Sequence, residues 1–388
     1  MTKIPSPPRS AHPEHALLLA VARRAVGIIA NVEAAVEAVD WDAFLALAAR
    51  NRLLPHAHRF LAARTEVPDA VRSTLHTEYV ANGHQALTRS AELRRLIGAL
   101  EQAGVRAAAY KGPALAVRAY GHLALRMYAD LDLLVAPDHV PAAARVLEGF
   151  GYVSAHRFSP AQDAVFRRTD GDYPYHHPHT AALVELHCHV SSARFCAVLP
   201  TAELLARAQP VPIGGGTVPA LDDEDLFIAL CLHGAKHRWS RLEWLAAAAA
   251  LAFHRLDMEQ AVIRAHAFGA RRATLLALLL ARDALGLPLP PSIEPTIAED
   301  PGLPALAAEA RALWFSAEAD EHDTAANLRF NYRVRDGAAD RARYAARWLF
   351  TPSPEDWAWV PLPDALSPLY RAVRPLRLAL RYGVRRGA

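Results

Sequence analysis

Cysteine is nearly missing from this chain. Three occur in 388 residues, Cys188, Cys196 and Cys231, with no C-x-x-C pair and an odd total. That argues against a disulfide framework and for a reducing cytoplasm. Long apolar runs are also lacking, since the two longest, around Trp244 to Phe253 and Ala273 to Ala281, are too short to cross a bilayer. Met1 to Arg9 has no apolar core of the secretion-signal kind. A soluble cytoplasmic protein without a membrane partner is expected. No sign of charge dominates: a formal net charge of +3 is too small to argue for nucleic acid. Repeats of solenoid period do not occur, and neither does the H-E-x-x-H spacing of zinc hydrolases.

What is present is ordinary globular material, 52% hydrophobic and 21% charged, long enough for two or three packed units. Residues 1–84 read as a helical region behind a proline-rich tail. Residues 85–220 carry the strand-like runs. They open with a helix over Ala86 to Gln102, apolar at Leu93, Leu96, Ile97 and Leu100 and stopped by Gly104. A strand over Val105 to Tyr110, a helix over Ala114 to Tyr120 and a strand through Asp130 to Val135 follow. Next come a helix over Val140 to Phe150, a strand over Tyr152 to Ser154 and a hairpin turning at Thr169 to Asp172. Residues 221–388 read as mostly helical, with Asp222 as an N-cap and an extended segment from Pro352 to Pro363 before an arginine-rich last helix. The expected class is α+β, a small mixed sheet flanked by N- and C-terminal helical regions.

The chemistry concentrates in two blocks. Tyr110-Lys111-Gly112-Pro113 breaks an apolar run just before a helix. A glycine there lets the backbone approach a phosphate, the helix start offers free N–H groups, and Lys111 adds a point charge. Asp130 and Asp132 then stand two residues apart within an apolar run, so on a strand they share a face while Leu131 and Leu133 take the other. Adjacent carboxylates repel unless something compensates them, and a divalent cation does so; Mg²⁺ takes oxygen ligands and pairs them with substrate phosphates. The run from Ala182 to Val190 supplies a third acid: Glu185, His187 and His189 share one face, Val184, Leu186 and Cys188 the other. Asp130, Asp132 and Glu185 together form a three-carboxylate site for two metals, with an in-line displacement at phosphorus as its chemistry.

Each of these residues has a structural alternative. Asp130 and Asp132 could be a solvated strand end, Glu185 an exposed edge position, and Lys111 a surface turn lysine. Arg126 could pair with an acid or contact phosphate. His233, Lys236 and His237 share a helix face: either it closes on the cleft, with Lys236 on the triphosphate and Trp239 shaping a base pocket, or it is a half-buried interhelical surface. The C-terminal arginines Arg371, Arg374, Arg377, Arg381, Arg385 and Arg386 read best as a solvated helix end, with a nucleic-acid or acidic partner less favoured. A zinc hydrolase using His187, His189 and the loop residues His176, His177 and His179 is the alternative enzyme class.

Taken together, the Lys111-Gly112 turn, the block from Arg126 through Asp130, Asp132 and Val135, and Val184 to His187 resemble the uncharacterised nucleotidyltransferase family of the polymerase-β-type superfamily. Trp41 to Pro55, His233 to Trp239 with Leu242 to Leu245, and Arg374 to Arg377 resemble it as well. The resemblance implies a nucleotidyltransferase core and transfer of a nucleoside monophosphate from an NTP, ATP among them, with Mg²⁺ or Mn²⁺. The acceptor it leaves open is a hydroxyl or phosphate of a small molecule or peptide. In this reading Asp130, Asp132 and Glu185 hold the metals, and Lys111, Gly112, Arg126, His187 and Lys236 serve the nucleotide. Two departures stand out. The superfamily's usual turn is Gly-Ser or Gly-Gly, and an acid expected after Leu245 is replaced by Ala246 to Ala250. An inactive nucleotide-binding scaffold and a transferase that labels itself or a partner protein are the remaining readings.

Overall fold

The computed structural model describes residues 12–29, 36, 38–197, 199–316 and 323–383. Before the sheet come α1 (Pro13–Val26), α2 (Trp41–Arg50), α3 (Leu54–Leu61) and α4 (Asp69–Gln102). The core then runs β1 (Ala107–Ala109), α5 (Gly112–Tyr120), β2 (Asp130–Val135), α6 (Val140–Gly149), β3 (Val153–Ser154), α7 (Pro160–Thr169), β4 (Asp172–His176) and β5 (Leu183–His187). It continues with α8 (Thr201–Ala206), β6 (Gln209–Ile213) and β7 (Gly216–Ala220). Helices follow: α9 (Asp223–Lys236), α10 (Leu242–Arg255), α11 (Met258–Ala267), α12 (Arg271–Leu280), α13 (Ile293–Ala298) and α14 (Leu303–Phe315). Last are α15 (Thr324–Arg333), α16 (Ala338–Phe350), α17 (Pro354–Trp359) and α18 (Tyr370–Gly383).

Among the described residues the sheet has seven strands in the order β3-β4-β5-β2-β1-β7-β6. It is mixed: β2 runs parallel to β5 and antiparallel to β1, and β1 runs parallel to β7. The class is α+β, as expected. Alternation along β2 divides the interior in two. Leu131, Leu133 and Val135 join Val184, Leu186 and Cys188 in a core under α4 and α6 that also takes in Trp357 and Tyr370. Leu134, Ala108 and Tyr110 face the opposite way, into the core built by α1, α9, α10 and α12. The two aspartates of β2 therefore point toward the helices.

Three elements differ from their sequence expectation. Helix α4 begins at Asp69 rather than Ala86 and passes through residue 84 unbroken. Its buried stripe continues through Val71, Leu75 and Asn82, and the polar Asn82 hides the period. Asn82 is used: its amide donates to the carbonyls of Ala124 (2.8 Å) and Arg126 (3.2 Å), fixing the approach to β2. The turn at Thr169 to Asp172 is not a hairpin. A capping box between Ser159 and Gln162 starts α7, whose charged surface buries only Phe166, and this helix delivers the chain to β4. The hairpin lies between β4 and β5 instead, closed by His177 N–H donating to Ala182 O at 2.9 Å.

The segment from Pro352 to Pro363 contains α17, begun by a capping box between Ser353 and Asp356. Asp356 is fully buried and accepts from both Arg374 and Arg377 of α18. Those two arginines are therefore an internal clamp and not a solvated helix end. Breaking a buried pair leaves an uncompensated charge, which explains why this pattern docks the last helix. Arg385 and Arg386 lie outside the described residues.

His56 of α3 is a buried histidine whose two ring nitrogens have no hydrogen-bond partner. Its ring meets Tyr120 edge-on at 4.4 Å. Burial, helped by Arg59, pulls its pKa from 6.5 to about 3. Below 6.5 the unfolded chain takes up a proton that the folded chain refuses until about 3, so this group's stabilising effect is complete above 6.5 and fades as pH falls. Each pH unit in that window costs about 1.4 kcal/mol. Denaturant midpoints taken at about pH 7 and about pH 5 should show His56→Phe losing about 2 kcal/mol less than the wild type. Parallel losses would contradict the buried neutral imidazole.

Candidate active site at the ends of the central strands

The parallel register of β2 and β5 sets Asp132 directly beside Glu185 and Leu134 beside His187. Lys111 stands where β1 gives way to α5, and its Nζ lies 2.7 Å from Asp132 Oδ1. His187 Nε2 lies 3.3 Å from the same oxygen and 3.1 Å from Glu185 Oε2. The Asp132 side chain is 1% exposed and that of Glu185 37%, so the first is enclosed and the second open to a ligand. Gly112 has φ +53, the left-handed region that favours glycine, and its Cα faces the Asp130 carbonyl.

The site's charges are unevenly met. Burial alone would raise Asp132, but Lys111 and the His187 hydrogen bond hold its carboxyl well below the usual range. Burial works against a charged His187, yet its bonds to Asp132 and Glu185 lift it to about 9, so it is imidazolium at neutral pH. The His187 hydrogen bond lowers Glu185. Asp130 is the unsatisfied member: burial, then the Asp132 and Glu185 charges, push it up. Three carboxylates thus share two directly contacting cations, Lys111 and His187, an imbalance that a divalent cation would offset. Ligand atoms of Asp132, Glu185 and His187 all lie within 4.8 Å of one another, and the two carboxylates among them offer the oxygen ligands such an ion takes.

These groups open on a polar cavity of about 240 Å³. Lys111, Asp130, Glu185 and His187 form one wall, and His233, Lys236 and His237 of α9 form another. The α9 face thus reaches the cleft. Burial and Lys111 keep His233 neutral, well below the usual histidine range. Trp239 takes no part: it is fully buried, its ring lies where a side chain on Gly234 would be, and Trp244 meets His233 edge-on and His237 at a tilt instead. The histidine set of the zinc reading does not gather. His189 lines the cavity but bonds the Arg167 carbonyl at 2.8 Å, because the alternation stops with β5 at His187. His176 pairs with Leu183 at the far end of β4, and His177 receives the backbone N–H groups of His179 and Thr180.

Several participants carried no local signal in the sequence. Arg126 is buried, with Nε 3.1 Å from Glu243 Oε1 on α10, so of its two open roles the structure shows the ion pair. Glu243 is the acid of that helix; Ala246 to Ala250 are buried and let α10 pack closely on its neighbours. Asn51 places Glu243 by accepting from Leu242 N–H at 2.9 Å, and its carbonyl accepts from Glu243 N–H. Arg52 is held near Asp130, whose charge it feels. This is what the Trp41 to Pro55 segment does. Asp170 and Asp172 also line the cavity, the former bonded by Ser192 and Arg194 at 2.8 Å each.

A mixed sheet bearing a carboxylate pair, a third acid on the neighbouring strand and a glycine turn before a helix is an arrangement compatible with phosphoryl transfer. The uncharacterised nucleotidyltransferase family matches residues 37–286, well over half of the chain, and the chain belongs to it. Membership supports nucleotidyl transfer as its general chemistry and a transferase as its class. No curated protein matches the chain. Among the described residues no helix is long and apolar enough to cross a membrane.

The Arg126–Glu243 pair gives a direct test of packing around the site. Glu243→Ala strands a buried guanidinium and should cost about 3 kcal/mol or more, read from denaturant unfolding. Arg126→Leu combined with Glu243→Leu removes both charges and should cost clearly less. A double variant weaker than Glu243→Ala would show that the pair is not what Glu243 contributes.

Proposed function

We propose that the cleft transfers a nucleoside monophosphate from an NTP, with Mg²⁺ or Mn²⁺, to a hydroxyl or phosphate of a small-molecule or peptide acceptor. One observation carries this: Asp132 and Glu185 are register partners, Asp130 shares their face, and Asp130 and Glu185 line a cavity that Lys111 and Lys236 also line. Asp130, Asp132 and Glu185 would hold the metal. When bound, it neutralises phosphate charge and lowers the pKa of the acceptor hydroxyl. Lys111, braced by Asp132, keeps N–H donors free for the β- and γ-phosphates, and Lys236 of α9 approaches from the other wall. Gly112 brings the first N–H groups of α5 toward the same phosphates.

Glu185, open to the cavity, takes the acceptor proton as the acceptor oxygen bonds to the α-phosphorus. The bond from that phosphorus to the β-phosphate oxygen breaks, and pyrophosphate leaves. His187, bridging Asp132 and Glu185, fixes the Glu185 carboxylate for that step. Arg126 supports the strand from behind, through Glu243. A nucleic-acid acceptor is disfavoured, since Arg374 and Arg377 are committed to Asp356. The three cysteines are free, in keeping with work in the cytoplasm.

The test is label transfer from α-phosphate-labelled NTPs to the small-molecule and peptide fraction of a cell extract, with Mg²⁺. Asp130→Asn and Asp132→Asn should each lower transfer by about 10³-fold or more, because the reaction is chiefly positioning and charge neutralisation. Near-normal transfer in either variant would sink the assignment.

A further inference from the structure

A second cavity, of about 410 Å³, lies at the other end of α5 and shares no lining residue with the carboxylate cleft. Its volume falls in the range of small-molecule sites, roughly 300 to 1,000 Å³. Its charged lining is all cationic. Arg24, Arg59, Arg118 and Arg255 surround it with His56 and His254, and no aspartate or glutamate is among the lining residues.

We infer that this cavity binds a phosphate-bearing small molecule. The arginines are under-compensated where their partners are known. Arg118 and Arg255 both donate to Asp223, so one carboxylate serves two guanidinium groups. Arg118 Nε is buried with no hydrogen-bond partner. Arg59 stands exposed over the Phe60 ring, 5.9 Å from its centroid, adding a further cation. Arg59, Arg118 and Arg255 against Asp223 leave the cavity two positive charges in excess. The negative end of α5, worth about half a charge, does not cancel them.

His56 is the independent sign that a ligand belongs here. It is 1% exposed, lines the cavity, and leaves both ring nitrogens unpartnered. A buried polar group without a partner is costly, and an acceptor oxygen brought by a ligand satisfies the imidazole N–H. Phosphate suits the set better than a carboxylate because it offers more acceptor oxygens to several guanidinium forks at once. Phe60 and Tyr120 supply apolar walls for the rest of the molecule. The site is also wired to the first one. Tyr120 donates to Glu243 at 3.4 Å, and Glu243 holds Arg126.

Calorimetric titration of the full chain with pyrophosphate, in EDTA, tests this. Wild type and Lys236→Gln, which removes a lysine of the cleft, should bind with the same Kd. Arg59→Glu and His56→Phe should each weaken binding about tenfold or more, with circular dichroism and Tm recorded to show that both fold. Absence of binding by the wild type would overturn the inference. So would loss of binding in Lys236→Gln with Arg59→Glu unaffected, since pyrophosphate would then sit in the cleft.

Discussion

Asp132 carries a charge into an enclosed position on the central strand, and the surrounding architecture answers to that charge. Lys111 and His187 both reach one of its oxygens, the first from the turn before α5 and the second from β5. Neither contact is possible unless β1, β2 and β5 lie side by side in the observed register. The turn, the helix behind it and the two neighbouring strands are thereby held to one geometry. Asp130, placed on the same face by the strand period, is left with less compensation than it needs. A divalent cation would meet that charge.

A second ion pair holds the helices to this sheet. Arg126, just before β2, meets Glu243 on α10, and Asn51 on the N-terminal lead-in sets the start of α10. Three distant stretches of chain therefore converge behind the carboxylates. The alanine run of α10, Ala246 to Ala250, is buried in the same arrangement. The family match spans all three stretches, from residue 37 to 286.

The strand period made much of this legible in sequence. Two-residue spacing put Asp130 with Asp132 and Glu185 with His187, and the glycine after Lys111 marked the turn. The same period failed at His189, where β5 had already ended. The helical period failed along the first half of α4, where the buried polar Asn82 disguises the stripe. The roles of Glu243, Asn51 and Arg52 could not be read, although the segments that carry them resemble the family. Their partners lie in remote segments, and nothing in a local window marks a polar residue as half of a buried pair. Trp239 misled for a related reason, since its burial depends on Gly234 one turn back in α9.

The proposed chemistry requires that the three carboxylates bind nucleotide through a divalent cation. Calorimetry with each of the four NTPs, in Mg²⁺ and then in EDTA, on wild type and on Asp130→Asn/Asp132→Asn, addresses it directly. The expected result is Mg²⁺-dependent binding by the wild type, with one base preferred, that the double variant loses. No binding by the wild type with either Mg²⁺ or Mn²⁺, or equal binding by the double variant, would contradict it.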